Sequence, residues 1–167
     1  MKTPILRAIL LLTAVSVGPM TRAADTDAEV TAHRAVLDLA GAFTNDGFKL
    51  RDGDYTGTLK AGEAVVVQVN LYAGNQYWFA VSTADSKTAV SINLYDETGK
   101  LLKTEPYVSP ADETAKQAKA NPDANPDPDA DTNRAAAGFS PDTSGPYYVR
   151  IANTSGAATY CLIYSYK

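Results

Sequence analysis

The stretch Glu63–Leu71, EAVVVQVNL, followed by Asn75–Ser82, NQYWFAVS, decides the fold. In the first run Val65, Val67, Val69 and Leu71 fall on one face, and Ala64, Val66, Gln68 and Asn70 on the other. In the second, Tyr77, Phe79 and Val81 alternate with Trp78 and Ala80. A side-chain period of two is the mark of an extended strand with one buried face. Ala73-Gly74 between the runs is a break of hairpin length, so the spacing predicts two strands joined by a tight turn.

The same period extends in both directions. Downstream, Ala89–Tyr95 sends Val90, Ile92 and Leu94 to one face, and Asp96–Gly99, DETG, supplies turn chemistry. Beyond a second turn at Ser140–Gly145, the run Pro146–Asn153 aligns Tyr147, Val149 and Ile151, and the closing ATYCLIYSYK aligns Tyr160, Leu162, Tyr164 and Tyr166. Shorter strands are expected near Phe48–Leu50, Tyr55–Leu59 and Ala135–Phe139. The whole predicts a mainly β protein: an antiparallel β-sandwich, jelly-roll-like, of about eight strands.

The period changes upstream of Phe48. Thr26 and Glu29 fit a capping box, and Asn45-Asp46-Gly47 is a stop signal. Between them Val30, His33, Leu37 and Ala40 recur at helical spacing, with Val36 and Phe43 widening the stripe. One amphipathic helix, at about residues 24–46, is expected to pack on the sandwich of residues 47–167.

The first 23 residues have another character. Lys2 and Arg7 precede the apolar run Ile5–Val17, Pro19 ends it, and TRA places small residues before a cut after Ala23. This is the anatomy of a secretory signal peptide, too short in its apolar part to span a bilayer comfortably. It predicts a periplasmic or secreted protein with no membrane insertion after cleavage. No Cys stands near the cut, which argues against a lipid anchor. Losing Lys2, Arg7 and Arg22 with the leader takes the formal charge from −4 to −7. So acidic a surface argues against nucleic acid and anionic membranes as partners.

Taken in order, GTLKAGEAVVVQVNLYAGNQYWFAVS, VSINLYDETGKLL, FSPDTSGPYYVRIAN and ATYCLIYSY resemble the bacterial pre-peptidase C-terminal domain. The resemblance covers about Gly57–Tyr166. It rests on Leu59 with Gly62, Ala73-Gly74, Leu94-Tyr95-Asp96 with Gly99, Ser144-Gly145 with Tyr147–Arg150, and Tyr160 with Leu162. It implies an extracytoplasmic antiparallel β-sandwich of the kind appended to secreted enzymes. Here a helix stands where an enzyme would precede it.

The residues offer few sites. Asp127, Asp129, Asp131 and Asn133 alternate as in the first half of an EF-hand loop, where oxygen ligands at every second position converge on calcium. Thr132 stands where that loop needs Gly, and Gly138 where it needs a closing Glu. Around them, residues 106–134 read as a flexible, acidic, Pro-rich loop. His33 is the single His and Cys161 the single Cys, which argues against a zinc site and against nucleophilic catalysis. Cys161, in an apolar run, reads as a small buried hydrophobe. Asp52, Asp54, Glu63 and Asp85 lie at turn or strand-end places and form no evident catalytic pair. Asn153-Thr-Ser matches a glycosylation sequon in a turn.

Aromatics leave two alternatives open. If Tyr77 and Phe79 point into the core, Trp78 faces outward, where with Tyr72, Tyr95 or Tyr148 nearby it could stack on a sugar ring. Alternatively the helix covers it, through its Val30–Leu37 stripe. The sequence therefore predicts a non-catalytic extracytoplasmic module that recognises a protein or a carbohydrate. A calcium-stabilised structural module and an unrecognised secreted hydrolase are the alternatives.

Overall fold

A computed structural model describes residues 26–107 and 133–167. The expected leader, and Asp127, Asp129 and Asp131, lie outside the described residues. The elements are α1 (Asp27–Thr44), β1 (Lys49–Leu50), β2 (Tyr55–Leu59), β3 (Ala64–Leu71), β4 (Tyr77–Thr83), β5 (Ala89–Tyr95), β6 (Glu105–Pro106), β7 (Arg134–Phe139), β8 (Gly145–Ser155) and β9 (Ala158–Tyr166).

Among the described residues nine strands form two antiparallel sheets. One has the order β1-β9-β4-β7-β6, with β2 also pairing β9; the other is β3-β8-β5. Eight of the nine match strands expected from sequence. The ninth, β6, is two residues long and carries Pro106. Too short to show a period, it sits at the sheet edge, where a residue lacking an N–H is tolerated.

The expected β3–β4 hairpin is corrected. β3 pairs β8 and β4 pairs β7 and β9, so the turn after Leu71 carries the chain from one sheet to the other. Both strands have a Tyr- or Val-rich face, and both faces are buried in one core from opposite sides. That core joins Val69 and Leu71 of β3 to Tyr77, Phe79 and Val81 of β4, Leu94 of β5, Val149 and Ile151 of β8, and Leu162 and Tyr164 of β9.

A second cluster lies on the outside of the larger sheet. There α1 places Ala32, Val36, Leu39, Ala40 and Phe43 on Ala80, Cys161 and Ile163. β4 and β9 are thereby covered on both faces. The order of layers is helix, larger sheet, smaller sheet. The capping box forms as expected: the Thr26 N–H donates to Glu29 Oε2 at 2.6 Å, and the Glu29 N–H donates to Thr26 Oγ1 at 3.2 Å. Hydrogen bonding from Thr26, its backbone N–H first and its side chain next, holds the Glu29 carboxyl below its ordinary range. Thr44 ends the helix, and Gly47 follows at φ 86°, a left-handed conformation that glycine adopts without strain.

The helix stripe differs from expectation. Val30 and Leu37 are 47% and 39% exposed. At roughly 100° per residue the buried set 32, 36, 39, 40 and 43 forms its own stripe, and positions 30 and 37 fall well to one side. Ala32 and Ala40 are small enough for close approach to the sheet, and Phe43 fixes the rotation. Its ring stacks on Trp78 at 4.5 Å with an interplanar angle of 8°, and the edge of Tyr107 closes on Phe43 at 5.3 Å. Gly138 leaves room beneath the indole, since a Cβ there would lie 3.0 Å from Trp78. Ser82, fully buried, donates to the Ala32 carbonyl at 2.6 Å and ties the sheet to the helix backbone.

Polar clamps hold the ends. Asn153 is buried, and its side-chain amide donates to the carbonyls of Leu59 at 3.2 Å and Gly156 at 2.9 Å. The amide nitrogen of the sequon is thus consumed in joining β8 to β2. Asn133 is also buried, its amide directed at the Thr83 carbonyl at 3.3 Å.

Phe43→Ala is expected to cost about 3–5 kcal/mol in urea unfolding, the range for emptying a buried aromatic site. Gly138→Ala is expected to cost about 1–3 kcal/mol, because the indole it would strike is held by Phe43. Leu37→Ala should stay within about 0.5 kcal/mol of wild type.

Candidate functional site

Among the described residues no helix covers the outside of the smaller sheet, and two of the candidate aromatics, Tyr95 and Tyr148, meet on this face. Strand alternation sends Val66 and Gln68 of β3, Tyr148 and Arg150 of β8, and Asn93 and Tyr95 of β5 outward. The register sets Gln68, Tyr148 and Tyr95 in one cross-strand row, and Val66, Arg150 and Asn93 in the next. Two tyrosines thus lie side by side with a guanidinium one row away. Val66 adds an apolar floor at 56% exposure.

The turn Asp96–Gly99 rises beside this face as a rim. Asp96 Oδ1 accepts from the Thr98 N–H at 2.9 Å, the Thr98 hydroxyl at 2.6 Å and the Lys100 N–H at 3.0 Å. These bonds, the Thr98 hydroxyl first, hold its carboxyl below the ordinary range. Asp96 is therefore a brace of the turn, with its charge already satisfied. Tyr95, Tyr148, Arg150, Val66 and the turn enclose a shallow cleft of about 380 Å³. A recess of about 200 Å³ lies across the turn, bounded by Thr143–Tyr147. Among the described residues Arg150 makes no ion pair or side-chain hydrogen bond, so its donors face the cleft uncommitted.

The four aromatics singled out from sequence do not form one group. Tyr95 and Tyr148 come together. Tyr72, 58% exposed, lies at the far end of β3 outside the cleft, with its N–H donating to the Tyr77 hydroxyl at 2.9 Å. Trp78 is on the opposite outside of the sandwich, half-buried and stacked on Phe43. The reason is topological: β4 belongs to the larger sheet and β5 and β8 to the smaller, so their outward side chains diverge. Arg150 was missed from sequence, although its place two residues after Tyr148 puts it on the same face.

A different constellation sits under the helix. His33 of α1, Asp54 before β2 and Cys161 of β9 bring a ring nitrogen, a carboxylate oxygen and a sulfur within 4.8 Å of one another. The Cys161 thiol donates to Asp54 Oδ2 at 3.6 Å. Burial, with the Asp54 charge adding to it, pushes this thiol up to about 12. It is a proton-bearing thiol at neutral pH, the opposite of an activated nucleophile. Nothing local in sequence links positions 33, 54 and 161; the pairing of β2 with β9 and the docking of α1 assemble them.

Neither a family model nor a curated protein matches this chain.

Because the native thiol stays protonated, Cys161 in chelator-treated protein should react with a thiol reagent at pH 8 at least about 100-fold more slowly than in urea-unfolded chain. Equal rates in the two states would contradict the burial described.

Proposed function

We propose that the protein is a non-catalytic, extracytoplasmic binding module that takes a carbohydrate on the open face of its smaller sheet. The observation that carries this reading is the row of Tyr148 and Tyr95 beside Arg150, on a sheet face that no other described layer covers. A sugar ring presents an apolar face flanked by hydroxyls. Tyrosine faces suit the first, and the guanidinium, Asn93 and Gln68 suit the second. A cleft of about 380 Å³ has room for one or two such rings rather than an extended protein interface.

A non-catalytic role is supported by the cleft's chemistry. No His or Cys is among the described residues that line it; of its two carboxylates, that of Asp96 is engaged by three donors and that of Glu97 stands exposed on the rim. General acid–base catalysis needs a group poised to exchange protons, and Asp96 is held ionised. The leader-like first 23 residues support export to the periplasm or beyond, and the resemblance to pre-peptidase C-terminal domains supports an accessory task there.

The test is a glycan array followed by calorimetry on the best binder. Tyr148→Ala and Arg150→Ala should each weaken binding about tenfold or more, whereas Trp78→Phe should leave it within twofold. Binding that survives Tyr148→Ala unchanged would move the site elsewhere. An array without a binder, together with an extracytoplasmic protein retained through Tyr148, would make the ligand a protein.

A further inference from the structure

We propose that His33, Asp54 and Cys161 form a zinc site that fastens α1 and the segment before β2 to β9. This stands apart from the open face, which lies on the other side of the sandwich.

Three donors of the types zinc prefers converge within 4.8 Å, from three parts of the chain far apart in sequence. Zinc bonds of about 2.0–2.3 Å in tetrahedral geometry separate neighbouring donors by about 3.5 Å. The Cys161 sulfur and Asp54 oxygen are already 3.6 Å apart. The His33 ring nitrogen lies within 4.8 Å of both, so it must close by about an ångström at most to complete the triangle. The donor set also selects the metal. Calcium and magnesium take six or more oxygens, and only one carboxylate is present here. One nitrogen, one oxygen and one sulfur suit a borderline-soft ion of low coordination number.

The surroundings are consistent with a metal seat. Cys161 is fully buried beneath α1 among Ala32, Val36 and Ile163, while Asp54 is exposed. An ion can therefore enter from the Asp54 side and leave a fourth position open to water. On binding, the Cys161 proton leaves to solvent and the sulfur bonds the metal as thiolate. Thiolate and carboxylate together neutralise the dication, so no net charge is left beneath the helix.

The test uses untagged protein stripped with chelator and reloaded. Elemental analysis should return one zinc per chain. Cobalt in its place should give a thiolate-to-cobalt charge-transfer band in the near ultraviolet, which acidic residues elsewhere in the chain cannot produce. Zinc should also raise the melting temperature. His33→Gln and Asp54→Asn, both outside the buried core, should each weaken zinc at least tenfold while the metal-free melting temperature holds. Cys161→Ala should abolish the band; if that variant does not fold, the other two still decide. Zinc bound without the cobalt band, or with unchanged affinity in both surface variants, overturns the proposal, as does the absence of stoichiometric zinc.

Discussion

The structure depends on β4 and β9 being buried on both faces. Each is an interior strand of the larger sheet, and each carries apolar side chains at nearly every position. Phe79, Val81, Leu162 and Tyr164 press inward against the smaller sheet; Trp78, Ala80, Cys161 and Ile163 press outward against α1. Burying one such side chain fully is worth about 1.5–3 kcal/mol, so losing either covering layer would expose several at once. The Phe43–Trp78 stack adds a directional component, on the order of 1 kcal/mol beyond area, that sets how the helix is turned.

The same constraint determines where function can reside. In the larger sheet one side of β4 and β9 is core and the other is occupied by the helix. The described residues cover the smaller sheet on one face alone. The candidate binding residues Tyr95, Tyr148 and Arg150 therefore share one face, and Trp78 is turned to the opposite side of the sandwich. The cluster beneath the helix follows from the same docking, because α1 can bring His33 to Cys161 only if it lies across β9 and β4.

The sequence made the strands legible because a period of two is local: each of β3, β5 and β8 can be read from its own residues. Partnership was not legible. The short turn after Leu71 reads as a hairpin, yet the chain changes sheets there, since nothing in Ala73-Gly74 distinguishes a turn within a sheet from one between sheets. The helix existed as expected, from its capping box to Asn45, but its contact stripe depended on where Phe43 met Trp78, a contact between distant segments. Tyr95 and Tyr148 were nameable as aromatics on outward faces; that they are neighbours required the β5–β8 register. Nothing in the spacing of His33, Asp54 and Cys161 links them, and their convergence comes only from tertiary packing.

Native-state hydrogen exchange tests the central claim most directly. Amides of Ala80, Val81, Leu162 and Ile163 should exchange slowest in the molecule, opening only with global unfolding, while those of Val66 and Gln68 on the open sheet exchange sooner. If the β4 and β9 amides exchange as readily as those of β3, the two strands are not enclosed between the helix and the second sheet, and the account fails.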